Sequence, residues 1–196
     1  MLARDVDVGK SSTMPARRLH LTGASGAGVT TLGHAVAERL GYDYLDTDDF
    51  YWEPTDPPYR VKRETGERLA LLADHLDRSE GWVLGGSLAW WGTPLASRFD
   101  LVVFLYVPAE ERLRRLQQRE RERFGDALDP GGAMHEQHQA FLAWAEGYDT
   151  GARSRRSLAS HAAWLTELGC PVLRIEGTSS LSASIGKVVE AVVRVP

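Results

Sequence analysis

The sequence holds a single cysteine, Cys170, among 196 residues. A disulfide framework and a cysteine-ligated zinc site are thereby excluded, and one thiol suits a reducing compartment. Long apolar runs are missing too: the longest, Leu101–Val107, is far below the roughly 20 residues that cross a bilayer. The opening MLARDVDVGK has charges where a secretory leader has an apolar stretch. Neither sign of charge dominates, with 23 Lys and Arg against 27 Asp and Glu and a formal net charge of −4. The basic excess that non-specific nucleic-acid binding needs is absent. These absences predict a cytoplasmic protein with neither nucleic acid nor membrane as partner.

What remains is ordinary globular material. Apolar residues make up 43% of the chain, enough for a sizeable core. At about 150 residues per domain, the length predicts one domain with a short extension. Residues 1–17 are small and polar without a period, and are expected to be a flexible tail before a single domain over 18–196. Gly9-Lys10-Ser11-Ser12 imitates the end of a phosphate loop, but no strand and no first glycine precede it.

From Arg18 onward, strand-like and helix-like stretches alternate. Strands are predicted at 18–22, 42–46, 82–85, 101–107 and 172–175. Leu101–Val107 (LVVFLYV) has the unbroken apolar character of a parallel strand covered on both faces. Helices are predicted at 30–40, 65–78, 109–124, 134–148, 158–168 and about 180–193, and 125–132 reads as a mobile loop. That order implies an α/β fold: a three-layer, five-stranded parallel sheet with helices on both faces.

The most informative segment is Gly23-Ala24-Ser25-Gly26-Ala27-Gly28-Val29-Thr30-Thr31, between the first strand and the first helix. Small residues fill its first six positions, so backbone N–H groups can converge on phosphate oxygens with a helix N-terminus behind them. Thr30 falls where a hydroxyl ligates Mg²⁺ in the pattern G-x-x-x-x-G-K-[ST]. Val29 stands where that pattern has lysine, which removes a cation that stabilises a moving phosphoryl group.

With this loop in place, the chain resembles the P-loop small-molecule and nucleoside-monophosphate kinases, shikimate-kinase-like and adenylate-kinase-like members above all. Asp46-Thr47-Asp48 occupies the place of their Asp-x-Asp, and Gly85-Gly86-Ser87 that of a Gly-Gly-Gly turn. The likeness extends over about residues 18–195 in element order. It implies that the phosphate-loop strand is central and that an arginine-rich lid lies at about 115–135. It further implies ATP or GTP with Mg²⁺ as cofactors, Thr30 and Asp46 at the metal, and Asp48 orienting and deprotonating an acceptor hydroxyl. Asp46–Asp49 also suit a turn or a helix N-cap. Arg115 is expected against the nucleobase, and Arg119, Arg121 or Arg123 on the lid, one of them (or Lys62 or Arg63) replacing the missing ammonium. Gly177-Thr178 lies where related kinases contact adenine through backbone atoms.

Gly85 and Gly86 would let an acceptor approach the backbone, or simply make a tight turn. Phe50, Tyr51, Trp52, Trp90 and Trp91 suit either an acceptor with a planar face or ordinary packing, with Trp52 and Trp91 assigned to the acceptor. His135-Glu136-Gln137-His138 has the wrong spacing for a zincin motif. The expected function is transfer of a γ-phosphoryl group to a small-molecule acceptor by a monomer or homodimer. A degenerate module that holds nucleotide without turnover is the alternative that Val29 favours, and a regulatory nucleotide hydrolase ranks third.

Overall fold

A computed structural model describes residues 18–151 and 156–195, so the expected tail over 1–17 lies outside the described residues. Five strands form one sheet: β1 (Arg18–Gly23), β2 (Asp43–Asp46), β3 (Trp82–Gly85), β4 (Leu101–Tyr106) and β5 (Val172–Glu176). Their order is β2-β3-β1-β4-β5 and every pairing is parallel, which puts β1 and its following loop in the centre. Seven α-helices accompany them among the described residues: α1 (Val29–Leu40), α2 (Thr47–Tyr51), α3 (Thr65–Leu76), α4 (Ala109–Phe124), α5 (His135–Glu146), α6 (Leu158–Thr166) and α7 (Leu181–Arg194). None is long and apolar enough to cross a membrane.

Alternation along the strands builds two cores. In β1, Leu19 and Leu21 face one side, with Leu32 and Val36 of α1 and Val188 and Val192 of α7. His20 faces the other side, stacked on Phe99 with ring centroids 5.0 Å apart and edge-on to Trp164 of α6. That second core also takes Leu72 and Leu76 of α3 together with Trp82, Leu84, Val102 and Phe104. Helix α1 stops at Gly41, whose left-handed φ of 72° lets its N–H reach the carbonyls of Ala37 and Glu38.

Two differences from the expected layout stand near the loops. The acidic run after β2 is a short helix, α2, because the Asp46 side chain caps it by accepting from the Asp48 N–H at 3.0 Å. The stretch expected as a mobile loop over 125–132 contains a 3-10 turn at Gly125–Leu128, with Leu128 buried.

Two histidines are wholly buried. His20 donates Nδ1–H to the Leu84 carbonyl at 2.9 Å, and His161 of α6 lies against the edges of Phe104 and Tyr148. Burial is the main reason that their pKa values fall, from 6.5 to about 4 for His20 and about 3 for His161. The unfolded chain gains these protons near pH 6.5 and the folded chain does not, so stability is lost as pH falls through that window. Between pH 7 and pH 5 the loss is roughly 2 kcal/mol for each ring. Urea denaturation at the two pH values measures it, and His20→Phe should reduce the difference. An identical difference in that variant would contradict the assignment for His20.

Candidate active site

The loop of residues 24–28 joins β1 to α1, and its closing bond runs from Ala27 N–H to the Ala24 carbonyl at 3.0 Å. The N-cap of α1 is Gly28, which brings no side-chain cap, and no acidic residue sits in the first turn. The first-turn amides of a helix have no partner within the helix, and the helix dipole adds to their positive field. A Cβ built on Gly28 meets nothing within 4 Å, so protein does not fill the space on that side. Open amides, a dipole and room beside them fit a polyphosphate.

Arg112 holds the loop from beneath. Its side chain is wholly buried; Nη1 donates to the carbonyls of Ser25 and Ala145 at 3.4 Å each, and Nε to that of Val107 at 3.1 Å. Nη2 pairs with the Asp149 carboxylate. A Cβ on Gly26 would come 2.5 Å from the Arg112 carbonyl oxygen, so only glycine lets the loop rest so close to α4.

Val29 is half-buried and packs on the α1/α7 core, so no ammonium is supplied there. A cation arrives from another part of the chain. Arg156, just before α6, donates Nη2–H to the Gly23 carbonyl at 3.1 Å and places its guanidinium 5.5 Å from the Trp144 ring centre. Its charge acts on Asp48 and Asp46. Arg156 is not among the residues singled out from the sequence, where three arginines among residues 153–156 are its only signal.

Asp46 connects the loop to the acidic turn. Its Oδ2 accepts from Thr30 Oγ1 at 3.4 Å and from the Tyr44 hydroxyl at 3.2 Å, while Oδ1 caps α2. Among the described residues no group of three or more His, Cys, Asp or Glu could hold a metal ion. Mg²⁺, however, commonly takes one or two protein oxygens and completes its shell with phosphate and water, so Thr30 and Asp46 fit it. Asp48 is solvent-exposed yet crowded by protein, and its pKa is pushed up, chiefly by burial and then by the Asp46 charge. Arg156 and, more weakly, Arg119 pull it back down. Asp49 is raised by the same two causes.

Across from Asp48, Gly85 and Gly86 have a packing reason to be glycine. A Cβ on Gly85 would strike the Tyr44 hydroxyl, and one on Gly86 (φ 115°) would strike Thr47 Oγ1. Trp91 donates Nε1–H to the Ser87 carbonyl at 2.9 Å and meets Tyr51 edge-on at 6.1 Å. The Arg68 guanidinium lies 3.9 Å from the Tyr51 ring centre, and Lys62 lies 5.8 Å from that of Trp52. Trp52 also packs edge-on against Tyr51 and Tyr59. Cations thus already lie over part of the aromatic surface expected to meet an acceptor.

The arginines of α4 separate by partner. Arg115 bonds Glu111 at 2.7 Å and the Gly177 carbonyl at 3.1 Å, which brings α4 to the turn after β5. Arg119 bonds Glu120 at 2.7 Å. Arg121 bonds the Gly125 carbonyl and Asp129, and Arg123 lies over Tyr59 and Phe124. Arg63 bonds the carbonyls of Phe50 and Trp52 and pairs with Glu67. His135 bonds the Leu128 carbonyl at the start of α5.

Comparison with known proteins bears on the family and the fold. The family model described as AAA domain matches residues 20–129. The chain is 42% identical over 174 residues to the uncharacterized protein YqaC of Bacillus subtilis, covering 89% of this chain and 96% of that protein. It is 38% identical over 66 residues to shikimate kinase 2 of Sodalis glossinidius, which spans 34% of this chain and 30% of that one. The crystal structure of shikimate kinase from Bacteroides thetaiotaomicron superposes with a TM-score of 0.56 at 19% identity, covering 89% of this chain and 97% of that one. With the phosphate loop, the Asp46–Thr30 contact and the central β1 in hand, the chain belongs to the AAA-domain family of P-loop proteins and has the P-loop kinase fold.

Proposed function

We propose that the protein is an NTP- and Mg²⁺-dependent phosphotransferase that phosphorylates a hydroxyl, or a phosphate, of a small molecule. The observation that carries this reading is the Arg156 hydrogen bond to the Gly23 carbonyl, which brings a guanidinium to the start of the loop and supports its taking the place of the cation missing at Val29. In this role the loop amides grip the donor phosphates and Thr30 and Asp46 hold the metal, which neutralises phosphate charge. Asp48 accepts the proton of the acceptor hydroxyl, and its raised pKa suits a base that must take a proton and later release it. Arg156, bonded to the first glycine of the phosphate-loop segment, would steady negative charge developing on the transferred group. Arg115, fixed between Glu111 and Gly177, borders the place assigned to the nucleobase. Catalysis of this kind is positioning and electrostatics, so the cation's origin matters less than its location.

Calorimetry with the magnesium salts of ATP and GTP, paired with a coupled ADP-release assay over shikimate, nucleosides, nucleotides and polyols, tests the proposal. Nucleotide binding with acceptor-stimulated release supports it. Binding with no release for any acceptor supports the alternative that Val29 favours, a module that holds nucleotide without turnover. Absence of binding at millimolar nucleotide rejects both.

The metal assignment has its own test. Asp46→Asn should raise the Mg²⁺ concentration for half-maximal activity about tenfold or more, in line with the loss of one charged oxygen from the site. Thr30→Ser, which keeps the hydroxyl, should stay near the parent value. A magnesium titration of ADP release reads both, and an unmoved Asp46→Asn curve would remove Asp46 from the metal site.

A further inference from the structure

Where the kinase resemblance has a third glycine, this chain has Ser87, and each polar group of Ser87 meets a different element. Its N–H donates to Thr47 Oγ1 at 3.1 Å, and its carbonyl accepts from Trp91 Nε1 at 2.9 Å. Its hydroxyl oxygen lies 3.4 Å from His161 Nε2. On the other side of that ring, Nδ1 lies 2.9 Å from the Tyr148 hydroxyl. His161 is wholly buried and Tyr148 is 4% exposed.

The chain Tyr148–His161–Ser87 has a direction. Arg156 and His20 both disfavour a charge on His161, and burial does so more strongly, so the ring is neutral, with one donor nitrogen and one acceptor. Burial pushes the Tyr148 pKa up to about 12, so its hydroxyl stays protonated. Among the described residues, the hydroxyl's hydrogen-bond partner is His161 Nδ1. If Nδ1 carried the proton, the Tyr148 O–H would be left buried with no acceptor, which is the costlier arrangement. Tyr148 therefore donates to Nδ1, and Nε2–H donates to the Ser87 oxygen. The Ser87 hydroxyl hydrogen is then unused within the relay, and Ser87 itself is only half-buried, next to Gly86 and Thr47.

We infer that the Tyr148–His161 pair orients Ser87 and leaves its hydroxyl hydrogen to donate into the acceptor side of the cleft. Ser87 is then a specificity-determining residue that selects an acceptor carrying an oxygen (hydroxyl, carbonyl or carboxylate) close to the group that is phosphorylated. This inference rests on the phosphotransferase reading and adds the acceptor chemistry to it.

The test has two arms on the full chain. In the first, long-range ¹H–¹⁵N correlation at pH 7 reads the His161 tautomer. Wild type should carry the proton on Nε2, and Tyr148→Phe should let the Nδ1–H form appear. A wild-type ring protonated on Nδ1 overturns the inference. The second arm uses the acceptor from the ADP-release panel that supports turnover. Ser87→Ala should raise its KM about tenfold while kcat changes far less, and Ser87→Thr should restore KM. An unchanged KM in Ser87→Ala overturns the inference while leaving the phosphotransferase reading in place. Release with no member of the panel defeats that reading and Ser87's acceptor role together, while the tautomer still shows whether the relay exists.

Discussion

Arg156→Ala is expected to lower kcat for phosphoryl transfer by about 10²–10³-fold while changing the affinity for MgATP much less. The magnitude is that of removing one preorganised group from developing charge, and it stays below the largest effects known for a finger arginine. The expectation rests on location. Val29 packs into the core and offers no charge, whereas the Arg156 guanidinium touches the first residue of the loop and acts on both Asp46 and Asp48. Arg156→Lys should recover only part of the rate, because an ammonium has no planar fork with which to grip a phosphate group. Arg121→Ala and Arg123→Ala should stay within about threefold of the parent, a surface-scale effect, since their partners lie in the turn after α4 and on Tyr59 and Phe124. Coupled ADP release reads the rates, and urea denaturation checks that Arg156→Ala is folded. A folded Arg156→Ala with full turnover would return the missing charge to Arg119 or Lys62.

The contrast between Arg156 and the α4 arginines marks what the sequence could reveal. Glycines, a following threonine pair and strand-then-helix flanks identify the phosphate loop because that chemistry is written in consecutive residues. The unbroken run of β4 and the boundaries of β3 and α4 are legible for the same local reason. Arg156 is not local: it reaches Gly23 across 133 positions, and only the fold brings them together. Helix α2 was legible only in part: a helix N-cap was one reading of Asp46–Asp49, and the Asp46 side chain caps the helix, but five residues are too few to show a hydropathy period. The inner face of α4 was hidden most effectively. Its buried positions, Arg112, Leu116 and Glu120, follow helical spacing, but two of the three are charged. A charged helix with interleaved arginines and glutamates reads as solvated, and hydropathy cannot tell which arginine turns inward.

Arg112 is that inward residue, and Arg112→Ala is expected to destabilise the fold by about 3–5 kcal/mol, the range for removing one partner of a buried ion pair. The substitution strands the carbonyls of Val107 and Ser25 as well as the Asp149 carboxylate, whereas the Ala145 carbonyl keeps the Tyr148 N–H. Among the described residues, the Oδ1 atom of Asp149 is buried without a hydrogen-bond partner, so none of them is placed to replace the guanidinium. Asp149→Asn should cost less, because Arg112 keeps its carbonyls and the carboxylate side chain is 24% exposed. The double variant should cost less than the sum, since the aspartate charge matters chiefly when its guanidinium is present. Urea denaturation of the three variants measures these differences. The same contacts link stability to function: Ser25 lies in the phosphate loop, and Gly26 rests on the Arg112 backbone. Losing the guanidinium should therefore weaken MgATP binding even at temperatures where Arg112→Ala remains folded. A variant that loses less than about 1 kcal/mol, the scale of an exposed pair, would show that the loop is held by its own backbone instead.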